Sequence, residues 1–364
     1  MTTHSEPLAS KRPPKPSANR FSPSRLVSTH GLLLLFILLF AVFSILLPDT
    51  FPTAYNIRSI LANKSVTALL ALAVMVPLAT GNFDLSVGYV LGLTHVLTVG
   101  LQIRSGFPWL VAVLAALAVG VAVGLVNGVL VAYAQIDSFI ATLAVGTFVY
   151  GISNWYTKGA QIAGSFPDAF INLGEKTVFT YVPLPAIYVL VIATILWLGF
   201  EFLPVGRRVY ALGGNPRAAH LVGVPVQRYI VGAFATSGLL TACAGVVLAS
   251  ELQAGQSSLG PEYLLPAFVG ALLGATTVRP GRVNVWGTLL AVLLLSVGIS
   301  GLEQEGATFY VEPLFNGATL ALAVGIAGYA ARRRLRARPR GPAAEDVAEG
   351  QAKEPEGGDA PSTT

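Results

Sequence analysis

The chain has 364 residues, 54% of them hydrophobic and only 11% charged, with a net charge of +5. An ordinary soluble domain carries roughly 25% charged residues, so a water-solvated globule is excluded, and the 38 glycines suit helices that approach closely in lipid. A single cysteine, Cys243, excludes a disulfide framework and Cys-based metal sites, and four scattered histidines lack ligand spacing.

Residues 1–28 place Lys11, Arg12, Lys15, Arg20 and Arg25 among Pro and Ser, which predicts a disordered basic cytoplasmic tail. The apolar run Gly31 to Leu47 is longer than a signal-peptide core and no A-x-A site follows, so it is expected to stay as the first membrane helix. A crossing needs about 20 mostly apolar residues. Ten such segments are predicted within a transmembrane domain spanning 29–331: 29–47, 62–80, 84–103, 108–133, 138–156, 182–203, 228–250, 263–278, 283–302 and 313–331. The fold class expected is therefore an all-α polytopic bundle. Short gaps separate the second from the third and the eighth from the ninth, so one member of each pair is a candidate half-helix or re-entrant segment. Residues 332–364 begin with the basic run RRRLRARPR and continue as a dilute acidic tail. A basic run beside a membrane helix is read as a cytoplasmic anchor, not a nucleic-acid patch. With both termini inside, 18 of the 23 Lys and Arg lie on the cytoplasmic side and five outside, and the asymmetry comes mainly from the tails.

No G-x-x-x-x-G-K-[ST] loop is present, so the chain cannot hydrolyse ATP by that route. Ion-coupled carriers keep costly carboxylates or His in the membrane. Here the candidates are Asp84 beside a helix break, Asp137 in an inner turn, and Glu201 and Glu251 at segment ends. The inner loop from Pro204 to Pro225 is more informative. Asn215 is suited to cap a helix, Pro216 to its first turn and Gly223 to a left-handed exit, which predicts a helix of about two turns. Ala218, Leu221 and Val222 then share an apolar face, while Arg217 and His220 turn elsewhere. So short a helix needs a surface to lie against. Its own bundle or the headgroups would serve, and so would a groove on a cytoplasmic partner.

Four stretches in order, TGNFDLSVGYVLGL (80–93), NGVLVAYAQIDSFIATLAVGTFVYGI (127–152), GRRVYALGGNPRAAHLVGV (206–224) and GALLGATTVRPGRVNVWGTLLAVLLL (270–295), resemble membrane permeases of ABC importers of the ribose and xylose type. These are related more distantly to branched-chain amino-acid permeases, and the resemblance covers about residues 55 to 331. It implies that Gly213, Gly214, Asn215, Pro216, Arg217, Ala218, Leu221, Val222 and Gly223 form the loop that docks on an ATPase subunit. It further implies a bacterial cell-membrane importer of a simple sugar with a second permease subunit, identical or paralogous, cytoplasmic ABC ATPases and an extracytoplasmic sugar-binding protein. ATP would be hydrolysed by the partner, and no cofactor would be bound by this chain. Where the family commonly reads T-G-G-I-D-L-S, Asn82 and Phe83 stand here, and its G-G-T-S-L-x-G-G stretch appears as Gly274 to Gly281.

Asn82, Asp84, Ser86 and Asn127 are candidates for the translocation path or for partners at a helix break made by Pro77 and Gly81. Asp84 is suited to capping the next helix or to meeting a sugar hydroxyl, and Asn127 to bridging helices or lining the path. Gly120, Gly124 and Gly128, spaced by four, are expected to admit another helix backbone. Trp155 and Tyr156 fit an outer aromatic belt. The alternative function is an ion-coupled secondary carrier, for which paired broken helices in matching halves would be needed. An intramembrane serine protease is disfavoured because the ATSG at 235–238 lacks the first glycine of a nucleophile motif.

Overall fold

A computed structural model of the chain describes residues 23–178, 182–308, 310–321 and 325. The tail at 332–364, most of the tail at 1–28 and the end of the segment at 313–331 lie outside the described residues. Helix α1 (Pro23–Leu46) begins six residues before the expected limit, at a proline, whose fixed φ suits a first helical turn. The next segment is two helices, α2 (Ala54–Asn63) and α3 (Ser65–Ala79), bent by 42° at Lys64. Thr53 caps α2 by accepting the Asn56 amide at 3.2 Å. α3 is apolar all round, and residues Leu69 to Met75 are fully buried, so it forms the centre of the bundle.

After the break come α4 (Val87–Ile103), α5 (Trp109–Ala132) and α6 (Ser138–Thr157). Asp137 caps α6 by accepting the Phe139 and Ile140 amides, which gives that carboxylate a backbone role. The connection to α8 (Leu184–Glu201) holds β1 (Ile162–Ala163), α7 (Asp168–Glu175), β2 (Thr177–Val178) and β3 (Val182–Pro183), none of them expected. The inner loop folds as α9 (Pro204–Gly214) and α10 (Pro216–Leu221). Then follow α11 (Val226–Leu252), β4 (Ala254–Gly255), α12 (Leu259–Glu262), α13 (Leu264–Gly274), α14 (Val285–Gln304) and a helical stretch at 311–321. β1 pairs antiparallel with β4, and β2 with β3, so two two-residue ribbons qualify the all-α expectation.

Among the described residues, four helices (α5, α8, α11 and α14) are long and apolar enough to cross a membrane, or five if α2 and α3 count as one bent span. The 11 residues of α13 rise only about 16 Å, roughly half of the hydrocarbon core. α13 returns towards α14 through a turn held by Asn284, whose amide donates to the Gly274 and Thr277 carbonyls while its oxygen accepts from the Gly287 amide. α11 lies along α5, α3 and α4, and α14 closes the other side of α3 against α13 and α1. α8 turns Leu190, Val191, Ile195 and Leu198 outward, an apolar surface that is stable in lipid and not in water.

Candidate functional site

Two constructions stand out: a capped elbow at α9–α10 and a buried polar cluster beside the break after α3. In the elbow, the Asn215 side chain accepts the Ala218 amide at 3.0 Å and Pro216 opens the helix. At its exit Gly223 has φ of +81°, the Gly223 amide donates to the His220 carbonyl at 3.0 Å and the Val224 amide to the Ala219 carbonyl at 3.1 Å. That pair of bonds is a Schellman motif, so both ends of a six-residue helix are satisfied locally. Ala219 faces the bundle and is buried, whereas Ala218, Arg217 and His220 are exposed. Leu221 is 85% exposed and Val222 78% exposed, so the expected apolar face is presented outward, away from the chain's own bundle.

The elbow is anchored through α9, a helix where the sequence predicts loop. Val209 is buried in the main core and Leu212 is fully buried beside it in the chain. The Tyr210 hydroxyl donates to the Val283 carbonyl at 3.0 Å, its ring lies 5.5 Å from that of Phe200, and the Arg282 guanidinium sits 3.8 Å above it. Burial pushes the Tyr210 phenol above its ordinary range, with Arg282 opposing, so it stays a protonated donor at neutral pH. Arg279 pairs with Glu201 at 2.5 Å, joining the α13–α14 turn to the end of α8. Of the two glycines ending α9, Gly214 has open space where a side chain would go, whereas Gly213 is pressed on the Ala79 carbonyl.

The break itself follows Pro77 and Ala79. Gly81 has φ of +84°, and residues 82–84 are non-helical before α4 resumes. Asp84 is 2% exposed. Its carboxylate accepts the Ser86 amide at 3.1 Å, the Ser86 hydroxyl at 2.6 Å and the Ser237 hydroxyl of α11 at 2.8 Å. Asn127 of α5 donates to the Ser86 hydroxyl at 2.7 Å. One carboxyl group thus ties the start of α4 to α11, and Asn127 adds α5, so that an acidic side chain is fully bonded in a packed interior. Asn82 stays local, donating to the Thr80 hydroxyl at 2.9 Å. The Phe83 and Leu85 amides are taken up by Ser138 and Thr142 of α6 at 3.1 and 3.0 Å, so two of the amides freed by the break are satisfied from a neighbouring helix.

The glycines of α5 lie against α11. A Cβ on Gly120 would stand 2.5 Å from the Gly238 carbonyl oxygen, one on Gly128 2.7 Å from the Val231 Cα, and one on Gly124 would overlap the Phe234 carbonyl. Only hydrogen fits at these three positions, as their spacing suggested. Trp155 is exposed at the end of α6, and Tyr156 lies under Arg104, which also bonds the Tyr156 carbonyl.

The structure therefore brings Asp84, Ser86 and Asn127 into one cluster and sets Asn82 aside from it. Ser237, within the ATSG stretch, is the member of the cluster that sequence reasoning missed; its signal is a hydroxyl in step with Thr241 on the buried side of an apolar helix. Tyr210 and Arg282 are 72 residues apart, and nothing local in the sequence pairs them.

Residues 56–325 match the family profile described as branched-chain amino acid transport system / permease component. The chain is 35% identical to the ribose import permease protein RbsC of Bacillus subtilis over 80% of its own length and 89% of that protein. It is 32% identical to RbsC of Escherichia coli K12, covering 84% and 94% of the two chains. It is 29% identical to the D-allose transport system permease protein AlsC of the same organism, covering 82% and 90%. A profile match over most of the length, together with these identities, makes the chain a member of the branched-chain amino acid transport system permease component family, an integral membrane protein.

Proposed function

We propose that the chain is the membrane subunit of an ATP-binding cassette importer and forms the route for a simple sugar of the ribose, allose or galactose kind. The observation that carries this reading is the elbow: a helix too short to be stable alone, capped at both ends, seated through α9 and presenting Leu221 and Val222 outward. Within the loop Gly213 to Gly223, the exposed face of α10 with Leu221 and Val222 would seat on a cytoplasmic ATPase, which would bind and hydrolyse the ATP, while Gly213 packs on the chain's own bundle, and an extracytoplasmic binding protein would deliver the sugar. A second permease subunit would complete the path. The relatives' names as ribose, allose and galactose import permeases support the sugar class.

In this reading ten segments cross or enter the bacterial cell membrane with both tails inside. Supporting this, polar contacts join groups that the arrangement puts on one side: Lys64 with Glu312 and Gln253 with Glu175 outside, Arg279 with Glu201 inside. Asp84, with every carboxylate oxygen accepting and almost no exposure, acts as a tie between helices and not as a sugar contact. The ion-coupled alternative is not favoured, because Asp137 is an exposed helix cap, Glu201 is paired and Asp84 is enclosed, which leaves Glu251 at the end of α11 alone of the four candidates without a bonded partner.

Uptake of labelled ribose, allose and galactose by cells with and without the gene tests the reading. Loss of uptake of at least one sugar, restored by the intact chain, is expected. Unchanged uptake of all simple sugars would overturn the substrate class.

A further inference from the structure

We infer that Gly213 is the contact through which movement of the α9–α10 elbow reaches the membrane interior, acting on the carboxyl end of α3 and through it on the Asp84 tie. The inference rests on the ATPase-docking role proposed for α10.

The geometry is backbone against backbone. A Cβ on Gly213 would overlap the Ala79 carbonyl and lie 3.4 Å from the Gly81 nitrogen, and a Cβ on Gly81 would stand 3.6 Å from both Cα and carbonyl oxygen of Gly213. The end of α9 and the turn after α3 therefore touch without intervening side chains, so a displacement of one cannot be absorbed by a rotamer change. Gly213 lies two residues before the Pro216 elbow's cap, Asn215, and the elbow itself is braced by its own caps. On the far side, Thr80, Gly81 and Asn82 form a tight turn whose amides return to Pro77 and Leu78. Three residues beyond Gly81 is Asp84, whose carboxylate joins α4 to α11. Contiguous, tightly packed elements of this kind are what mechanical coupling requires. The partner of Gly213 is a carbonyl and a turn held by backbone bonds, so any side chain there must part the two segments. Gly151, on α6 and outside the docking loop, meets nothing within 4 Å and provides the control.

The test uses the assembled importer, permease with its ATPase and binding protein, reconstituted with ATP inside or outside the vesicles as required. Gly213→Ala is expected to retain the ATPase on purification and to hydrolyse ATP at a rate that no longer responds to the loaded binding protein, while uptake falls about tenfold or more, because any side chain there must part the two segments. Gly151→Ala should behave as the unmodified importer. Undiminished uptake by Gly213→Ala, an equal defect in Gly151→Ala, or loss of ATPase recovery together with uptake would each overturn the inference. Hydrogen exchange on the unmodified importer covers the case in which Gly213→Ala fails to insert. ATP binding should change protection at 78–86 together with 209–222, and change at 209–222 alone would refute the link. If the unmodified assembly does not take up sugar with ATP, it is the docking reading that fails and not this contact.

Discussion

Leu221→Asp provides the sharpest perturbation, because Leu221 is 85% exposed in the chain by itself and takes no part in its core. Full burial of a leucine side chain is worth about 1.5–3 kcal/mol, and nearly all of that surface is still available to a partner, so removing it costs the docked complex about 1–2.5 kcal/mol. The new carboxylate must also lose water at the same interface, at a further cost of several kcal/mol. Together these amount to about 4 kcal/mol or more, a weakening of docking by about a thousandfold. The measurement is a titration of detergent-solubilised permease with the labelled ATPase subunit, beside Leu221→Ala, which carries only the smaller loss. Thermal unfolding of the permease should be unchanged, since exposed substitutions fall within about 0.5 kcal/mol. ATPase affinity equal to that of the unmodified chain would refute the assignment of α10 as the docking helix. A parallel loss of thermal stability would show that Leu221 supports the fold instead.

Gly124→Ala should destabilise the chain by about 1–3 kcal/mol, seen as a lower unfolding midpoint in detergent, because its Cβ would overlap the Phe234 carbonyl on α11. Gly151→Ala on α6, with nothing within 4 Å, should be neutral or gain about 0.5–1 kcal/mol from helix propensity, and equal losses at the two sites would refute the packing account. Ser237→Ala removes one of the donors to a buried carboxylate and should cost about 1.5–3 kcal/mol. Thr236→Ala beside it, whose hydroxyl bonds only Gly232 of its own helix, serves as the comparison, and similar unfolding midpoints for the two would argue that Asp84 is not a tie.

The features legible in the sequence were those set by local chemistry. The α10 elbow is written in three residues whose preferences are backbone preferences, Asn215, Pro216 and Gly223, and each performs the expected task. The four-residue glycine spacing on α5 was likewise readable, because close helix approach permits few alternatives. Asp84 and Asn127 were recognisable as costly residues in an apolar setting, but not their joint role, which needs Ser86 and Ser237 brought together from segments 151 residues apart. α9 was missed since its stability comes from burying Val209 and Leu212 and from Tyr210 meeting Val283, contacts invisible in a sequence window. α7 and the β1–β4 ribbon escaped for the same reason: the Ser250 hydroxyl on α11 accepts the Gly174 amide and donates to the Phe170 carbonyl across some 76 and 80 residues, and Ile162 pairs with Gly255.

On the proposed function this chain conducts a sugar but takes its energy from a nucleotide-hydrolysing partner. Proteoliposomes offer the most direct measurement: labelled sugar uptake against its gradient, with the chain alone or with its ATPase and binding protein. Uptake is expected only with all components and ATP, and imposed proton or sodium gradients should have no effect. Accumulation by the chain alone, driven by either ion gradient, would contradict the account.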